Sequence, residues 1–356
     1  MFSARLNELR KAVGLEERHA CLVSSGPDVR WLSGFTGSNA SLLLMSDSAH
    51  LFTDGRYTEQ ASQETEGLEI HIGSGSTIDS AHTWARNHQI TDLIVNAGLL
   101  TYQDGLRLFH GERPLQYREI SSFLQLLRAE KNVFETNSIK TALRITEQTV
   151  ADVLPMIREG ITEKELATEI DYRQRCLGAE KSSFETIVAF GKHSSLPHAR
   201  PSDNKLTPQT PILLDFGCVI DGYASDMTRM VHFGKPTGEF LQTYATVQKA
   251  LGRALGAAKA SITGQELDAV ARNTFKEAGV ESYFSHSLGH GVGLEIHEWP
   301  SVSSRNPDKL PEHSIITIEP GLYLPGKFGI RIENMVQLRM YGCDQLNDLT
   351  TELIVL

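Results

Sequence analysis

The chain has 356 residues, of which 40% are hydrophobic and 22% are charged, and 44 acidic side chains against 34 basic ones give a net charge of −10. This length exceeds the roughly 100–200 residues of a single domain, so it predicts two domains. Because the acidic balance disfavours a surface that tracks phosphates and no apolar run approaches the roughly 20 residues that span a bilayer, we expect a soluble protein that binds neither nucleic acid nor membrane.

The amino-terminal segment predicts an amphipathic helix rather than a secretory leader. Leu6, Leu9, Val13 and Leu15 recur at helical spacing, and no seven-residue apolar core follows the basic residues. The four cysteines are widely scattered, without a C-x-x-C pair or the density of a disulfide scaffold. We therefore expect a cytoplasmic protein with buried free thiols.

The first third of the chain alternates short apolar strands with helical stretches. The strand-like segments are ACLVSS, ASLLLMS, HLFTDGR, LEIHIG and TDLIVNAG, and the leucine-rich stretch SSFLQLLRAEK follows them. This alternation indicates a compact α/β domain. Helical periodicity takes over after about Ala129, so we place the boundary near Arg128 to Val133 and predict domains of residues 1–128 and 129–356.

In the second domain, helix signals come first and strands follow. Thr162 and Glu165 have capping-box spacing, and Gly178 closes the helix that they open. From Phe184 onward strands dominate, interrupted by helical segments at about 239–260 and 265–278. We expect helices to cover one side of an antiparallel sheet.

The segment PILLDFGCVIDGYASDMTRMVHFG predicts a β-hairpin that brings two acids together. A two-residue turn at Asp221-Gly222 places Asp215 opposite Thr228, with Asp226 as its diagonal neighbour about 7–8 Å away on the same face. Neighbouring carboxylates in an apolar setting repel each other unless cations neutralise them or one takes up a proton. The hairpin alone fits a metal pair and, equally, a turn-capping acid beside a solvent-facing one.

Further along, the segment SHSLGHGVGLEIHEWP clusters His286, His290 and His297 among glycines that permit close backbone approach. It is not the H-E-x-x-H zinc helix, but clustered imidazoles suggest ligation or catalysis. Glu319 ends an apolar run, and period-two alternation then puts Arg331 and Glu333 on one strand face. Four acids and one histidine form an oxygen-rich set that suits Mn, Co, Fe or Zn.

Four segments resemble, in family order, the motifs of the creatinase, prolidase, aminopeptidase P and methionine aminopeptidase group. They are LLDFGCVIDGYASDMTR, HSLGHGVGLEIHE, IEPGLYLPG and GIRIENMV. The segment VRWLSGFTGSNASLLLMSDSAHLFTDGRY resembles the non-catalytic domain of prolidases and aminopeptidases P. The resemblance implies an α+β protein, with an N-terminal creatinase-like α/β domain followed by a pita-bread catalytic domain, an antiparallel sheet covered by helices.

The resemblance also assigns residues. It implies two divalent ions per subunit, Mn or Co with Zn or Fe as alternatives, held by Asp215, Asp226, His290, Glu319 and Glu333. Catalysis would rest on Glu319 as the proton carrier, on His297 as the donor to the oxyanion, and on His198. The residues expected to contact substrate are His198, His286, His297 and Arg331. Those expected to support the ligands are Tyr223, Tyr323 and Thr228.

The activity implied by the resemblance is hydrolysis of Xaa-Pro dipeptides, as in a prolidase. Release of the first residue from longer Xaa-Pro peptides, as in an aminopeptidase P, is the alternative that the sequence leaves open. A creatinase-like metal-free hydrolase and a binding module without chemistry are two further classes, and the presence of all five ligands disfavours both. The expected partners are short proline-containing peptides and, by analogy, a second copy in a homodimer.

Overall fold

The computed structural model describes residues 1–109, 115–120 and 123–356. The chain divides into two compact units, Met1–Leu127 and Arg128–Leu356. The first two residues of the predicted leucine-rich stretch, 121 and 122, lie outside the described residues, and helix α6 (Phe123–Ala129) follows them. Among the described residues, no helix is long and apolar enough to cross a membrane.

The first unit is built on a six-stranded mixed sheet with the order β4-β3-β2-β1-β5-β6. Its strands are β1 (His19–Val23), β2 (Ala40–Met45), β3 (Ala49–Asp54), β4 (Glu69–Gly73), β5 (Asp92–Val95) and β6 (Gln116–Glu119). Its helices are α1 (Phe2–Val13), α2 (Gly26–Ser33), α3 (Thr58–Glu64), α4 (Thr77–Asn87) and α5 (Tyr102–Phe109). The five strands expected from the sequence are present, whereas β6 was not predicted because its polar sequence QYRE carries no apolar alternation.

Helix α1 buries Leu6, Leu9 and Val13, as its periodicity predicts, and ends at Gly14, which adopts a left-handed conformation with φ 60°. Leu15 therefore falls outside the helix. The four cysteines are free thiols, but the expectation that all are buried is wrong, because Cys176 is exposed and Cys343 is half-buried.

The second unit contains four long helices and several sheets. The helices are α7 (Val133–Val153), α8 (Glu163–Cys176), α9 (Gly238–Ala257) and α10 (Gly264–Glu277). The first strands are β7 (Lys181–Ser182), β8 (Ile187–Phe190), β9 (Thr210–Phe216), β10 (Cys218–Ile220), β11 (Tyr223–Ala224) and β12 (Met227–Phe233). The later ones are β13 (Gly289–Gly291), β14 (Glu298–Val302), β15 (Ile315–Ile318), β16 (Gly321–Leu324), β17 (Phe328–Arg331), β18 (Asn334–Arg339), β19 (Gly342–Gln345) and β20 (Ile354–Val355).

The two largest sheets of the second unit supply residues to both of its large apolar clusters. Their orders are β20-β12-β9-β8 and β14-β13-β15-β18-β19. Along β9, Ile212 and Leu214 belong to the apolar cluster that includes α7 and α8, whereas Leu213 belongs to the cluster that includes α9 and α10. Since side chains alternate along a strand, the two faces of β9 serve different clusters, and Asp215 shares the face of Leu213.

Helix α8 begins where the sequence predicts. The Thr162 side chain accepts a hydrogen bond from the backbone N–H of Glu165, and the Glu165 carboxylate accepts one from that of Thr162, so the capping box is complete. Helix α7 and helix α10 begin with capping boxes of the same kind.

Candidate active site

The β9–β12 hairpin has the register that the sequence predicts. Asp215 pairs with Thr228, and the turn at Asp221-Gly222 has positive φ at both residues, 51° and 81°. The ladder is interrupted between β11 and β12, where Asp226 lies outside both strands. A Cβ atom at Gly217 would collide with the backbone carbonyl of Ser225, so a glycine is required at the interruption that directs Asp226 toward the site.

His290 lies in β13 with its ring directed toward two of the predicted acids. Its Nδ1 is 3.1 Å from the Gly291 carbonyl, which can only accept, so Nδ1 carries the proton and Nε2 presents a lone pair. That Nε2 lies 3.6 Å from Asp226 Oδ2 and 3.5 Å from Glu319 Oε1. Burial, together with nearby His297, lowers the pKa of His290 to about 4. A neutral lone pair facing two carboxylates is an arrangement that a cation between them stabilises.

Asp215, Asp226 and Glu333 form a compact buried cluster. One carboxylate oxygen from each lies within 4.8 Å of the others. Like charges at that distance repel by about 3–4 kcal/mol per pair at an effective dielectric constant of about 20. Burial, followed by the charges of neighbouring carboxylates, raises the pKa of Asp226 and of Glu319 well above the usual range and raises the pKa of Glu333 to about 8. Without a cation, the cluster therefore retains protons near neutral pH.

The residues present fit a divalent-metal site. Asp215 Oδ1 and Glu333 Oε1 are buried and have no hydrogen-bond partner within the described part of the chain. Two such oxygens, further carboxylates and one neutral imidazole make up the donor set that Mn, Co, Fe and Zn accept. The same ions would remove the repulsion between the acids.

Arg331 is held by the protein through most of its donors. Its Nε donates to Thr228 Oγ1 at 3.0 Å, one terminal nitrogen donates to the Tyr323 hydroxyl at 2.6 Å and to the Pro197 carbonyl at 3.2 Å, and the other donates to Asp215. Arg331, the predicted substrate contact, therefore also holds the carboxylate of Asp215, a predicted metal ligand.

Thr228 and Arg229 support Glu333 from two sides. Thr228 Oγ1 donates to Glu333 Oε2 at 2.8 Å, and the Arg229 guanidinium donates to the backbone carbonyl of Glu333. Sequence reasoning anticipated Thr228 from its place opposite Asp215 and missed Arg229. The one available signal for Arg229 was an arginine beside the apolar residues Met230 and Val231 in a strand.

The other three predicted site histidines, His198, His286 and His297, differ in their exposure to solvent. His286 donates from Nδ1 to the Ser287 carbonyl at 2.7 Å and accepts at Nε2 from the Tyr323 hydroxyl, 2.9 Å away. Burial, followed by the charge of Arg331, lowers the pKa of His286 to about 4 and keeps it neutral. His198 and His297 are exposed at the mouth of the cavity.

All nine predicted site residues line one cavity of about 510 Å³. They are His198, Asp215, Asp226, His286, His290, His297, Glu319, Arg331 and Glu333. Sequence reasoning did not anticipate the apolar wall of Phe184, Ile187 and Ile296, or the charged pair Glu185 and Arg200. The Tyr223 hydroxyl donates to Glu135 on α7 at 2.8 Å, and the role of Tyr223 in supporting the ligands stays a prediction.

Comparison with known proteins gives matches over both units. Residues 137–339 match the model of metallopeptidase family M24, and residues 5–106 match that of the creatinase/prolidase N-terminal domain. An Xaa-Pro dipeptidase of Pyrococcus furiosus is 32% identical over 351 residues, covering 98% of this chain and 99% of the relative.

Two solved structures are similar over the full length. An X-Pro aminopeptidase from Thermotoga maritima has a TM-score of 0.90 at 37% identity, covering 99% of this chain and 100% of that one. An Xaa-Pro dipeptidase from Bacillus anthracis has a TM-score of 0.94 at 33% identity, covering 100% of both chains. These matches confirm the resemblance and the fold class, a creatinase-type domain followed by a pita-bread catalytic domain.

Proposed function

This chain belongs to metallopeptidase family M24, and from that premise we propose that it hydrolyses the Xaa-Pro bond of dipeptides. The observation that carries the proposal is the buried cluster of Asp215, Asp226 and Glu333. Two of its oxygens have no hydrogen-bond partner among the described residues, and Asp226 faces the lone pair of His290. The Xaa-Pro dipeptidase of P. furiosus, similar over nearly all of both chains, supports the choice of substrate.

The family implies divalent metal ions, and we propose two per subunit, Mn²⁺ or Co²⁺ with Zn²⁺ or Fe²⁺ as alternatives. The proposed ligands are Asp215, Asp226, His290, Glu319 and Glu333. In such sites, bound ions polarise the carbonyl of the scissile bond and lower the pKa of a water molecule.

The chain's own residues would move protons and hold the substrate. Glu319, whose Oε1 lies 3.5 Å from His290 Nε2 and whose Oε2 lies 4.0 Å from Arg331 Nε, would take the proton of the nucleophile and pass it to the leaving nitrogen. His297 would donate an N–H to the oxygen that becomes negative in the transition state. Its exposed position at the cavity mouth leaves it free to meet the substrate carbonyl.

Proline selection would use the apolar wall of the cavity. A bond before proline leaves a nitrogen without a hydrogen, so a peptidase for such bonds has to recognise the ring. Phe184, Ile187 and Ile296 offer apolar surface for it. Arg200 lines the cavity with an exposed side chain, and its guanidinium lies 3.5 Å from the Glu185 carboxylate. Because it is exposed, the guanidinium would pair with the free carboxylate of a dipeptide.

The second candidate is an aminopeptidase P that acts on longer peptides. The X-Pro aminopeptidase of T. maritima, 37% identical across the chain, favours it. A cytoplasmic location and a homodimeric assembly complete the proposal.

The test compares hydrolysis of Ala-Pro and Ala-Pro-Ala by protein reconstituted with Mn²⁺ or Co²⁺. We expect cleavage of the dipeptide, a loss of at least about 100-fold in kcat for Asp226→Asn, and unchanged turnover for Asp221→Asn. Asp221 is a matched control, because it occupies the hairpin turn with φ 51°, a conformation that asparagine adopts readily.

Each alternative has its own result. Cleavage of the tripeptide would establish the aminopeptidase P activity instead. If neither peptide is cut, or if Asp226→Asn works as well as the wild type, the peptidase proposal fails and a binding module without chemistry takes its place.

A further inference from the structure

A second cluster of possible metal ligands lies in the first unit, on the outer strands of its sheet. Strands β3 and β4 run parallel, with His50 opposite Glu69 and Phe52 opposite His71. Because residues two apart share a face of a strand, all four side chains point to the same side. One ligand atom each from His50, Glu69 and His71 lies within 4.8 Å of the others.

The separations within this triad match the edges of a coordination sphere. His50 Nδ1 is 3.1 Å from His71 Nε2 and 3.4 Å from Glu69 Oε2. Ligands about 2.0–2.1 Å from a tetrahedral zinc ion lie about 3.4 Å from one another. Two imidazole nitrogens and one carboxylate oxygen are also a ligand set that zinc accepts, with a fourth position open to water.

The hydrogen bonds around His50 orient a lone pair into the triad. The Ser48 hydroxyl lies 3.1 Å from His50 Nε2 and 3.2 Å from Asp47 Oδ1, so it can accept from His50 Nε2 while it donates to Asp47. In that arrangement His50 Nδ1 carries no proton and presents a lone pair to His71 and Glu69. Support of the remote N–H by a second residue is typical of histidines that bind metals.

A proton shared between the two imidazoles would account for their 3.1 Å separation, but not for the third member. A Glu69 carboxylate oxygen also lies 3.4 Å from His50 Nδ1, and one cation between the three side chains accounts for both short separations.

The surroundings keep the site ordered yet accessible. The His71 ring stacks on Phe52 with centroids 4.6 Å apart, and the His50 ring lies 4.1 Å from that of Trp84. His50 is buried, whereas the Glu69 side chain is 68% exposed, so an ion could enter from solvent on the Glu69 side.

We propose that His50, Glu69 and His71 bind one divalent transition-metal ion, Zn²⁺ by preference. Strand β4 is at the edge of the sheet, with β3 as its neighbour. The ion would bind side chains of both β3 and β4 and so stabilise the edge strand of the first unit. This role is independent of peptide hydrolysis in the second unit.

The test counts Zn²⁺ bound to the full-length protein by equilibrium dialysis followed by elemental analysis. We expect the wild type to hold one Zn²⁺ per chain more than His71→Gln, because the two proteins share the same catalytic residues. Glu69→Gln, which alters an exposed side chain and leaves the fold intact, should weaken binding of this ion by at least about tenfold.

His88→Gln is the matched control, since its ring stacks on Trp84 with centroids 3.7 Å apart but lies outside the triad. It should keep the extra ion, and peptide hydrolysis by His71→Gln should equal that of the wild type. Equal Zn²⁺ counts in wild type and His71→Gln would overturn the proposal, as would loss of the ion in His88→Gln. Neither result depends on whether the protein cleaves Xaa-Pro bonds.

Discussion

Thr228 is the side chain on which the supports of the candidate metal centre converge. Its hydroxyl accepts from Arg331 Nε at 3.0 Å and donates to Glu333 Oε2 at 2.8 Å. It therefore links the residue that holds Asp215 to the carboxylate of another predicted ligand. Because Arg331 Nε can only donate, the Thr228 hydroxyl accepts there and keeps its single proton for the bond to Glu333.

Replacement of Thr228 by valine should remove both contacts while preserving side-chain shape. We expect Thr228→Val to weaken Mn²⁺ or Co²⁺ affinity by about 10–100-fold, the usual effect of losing a hydrogen bond to a ligand. Activity measured against buffered free metal gives the affinity. Thr228→Ser keeps the hydroxyl and should stay within about threefold of the wild type; equal loss in both variants would instead assign the effect to packing.

The sequence predicted nine residues that line one cavity, but it did not predict most of their hydrogen-bond partners. Acids in apolar runs and clustered imidazoles signal buried charge from local sequence alone, and the family motifs add order. The bond from Arg331 to the Pro197 carbonyl joins residues 134 positions apart, and no local pattern encodes it. The hydrogen bond from Tyr223 to Glu135, 88 positions earlier, was unpredictable for the same reason.

Strand pairing was predictable where a short turn fixed it. The two-residue turn at Asp221-Gly222 leaves one register, so the pairing of Asp215 with Thr228 followed from counting. Strand β6 has no such constraint, because helix α5 separates it in sequence from its partner β5. Its polar sequence forms a strand through pairing with β5 rather than through its own propensity.

The first turn of α8 carries a contact of the same long-range kind. Glu163 is fully buried, and its carboxylate accepts from the Phe190 backbone N–H at 2.8 Å, from His193 Nδ1 at 2.8 Å, and from the backbone N–H and hydroxyl of Ser202 at 2.9 and 2.6 Å. One carboxylate thus holds both ends of the segment that carries His198.

Glu163→Gln should loosen that segment, because an amide nitrogen cannot accept the bonds that a carboxylate oxygen accepts. We expect a loss of about 1–3 kcal/mol in the free energy of unfolding, the cost of leaving buried donors unsatisfied, together with a higher KM. Denaturant unfolding and steady-state kinetics measure the two effects. Glu165→Gln is the control, since glutamine also serves in a capping box; if it behaves like Glu163→Gln, the helix start rather than the buried carboxylate is responsible.

Across the molecule, part of the excess of acids is concentrated in one place. The chain has a net charge of −10, and Asp215, Asp226, Glu319 and Glu333 all line the cavity with Arg331. Divalent ions bound there would neutralise the negative charge of these acids. Without the ions, protons bound to the carboxylates do so. The stability of the second unit should therefore depend jointly on pH and on metal.

For the metal-free protein, the sign follows from the raised pKa of the buried acids. Glu333, with a pKa of about 8 in the folded state, is protonated there while its unfolded counterpart has already ionised above its usual pKa of about 4.5. The folded state then binds more protons, so its stability falls as pH rises. The stability that Glu333 contributes to the folded state is fully present below about pH 4.5 and is lost by about pH 8.

Scanning calorimetry in EDTA should therefore show the unfolding temperature of the second unit falling by several degrees between pH 5.5 and pH 8, since each kcal/mol shifts a domain of this size by about 2–4 °C. Added Mn²⁺ or Co²⁺ should reverse the trend, because ions bind the ionised carboxylates and stabilise the fold more as protons leave. Glu333→Gln, which cannot ionise at this position, should reduce the metal-free dependence on pH. If the wild type and Glu333→Gln respond to pH alike, Glu333 does not contribute to the pH dependence of this unit.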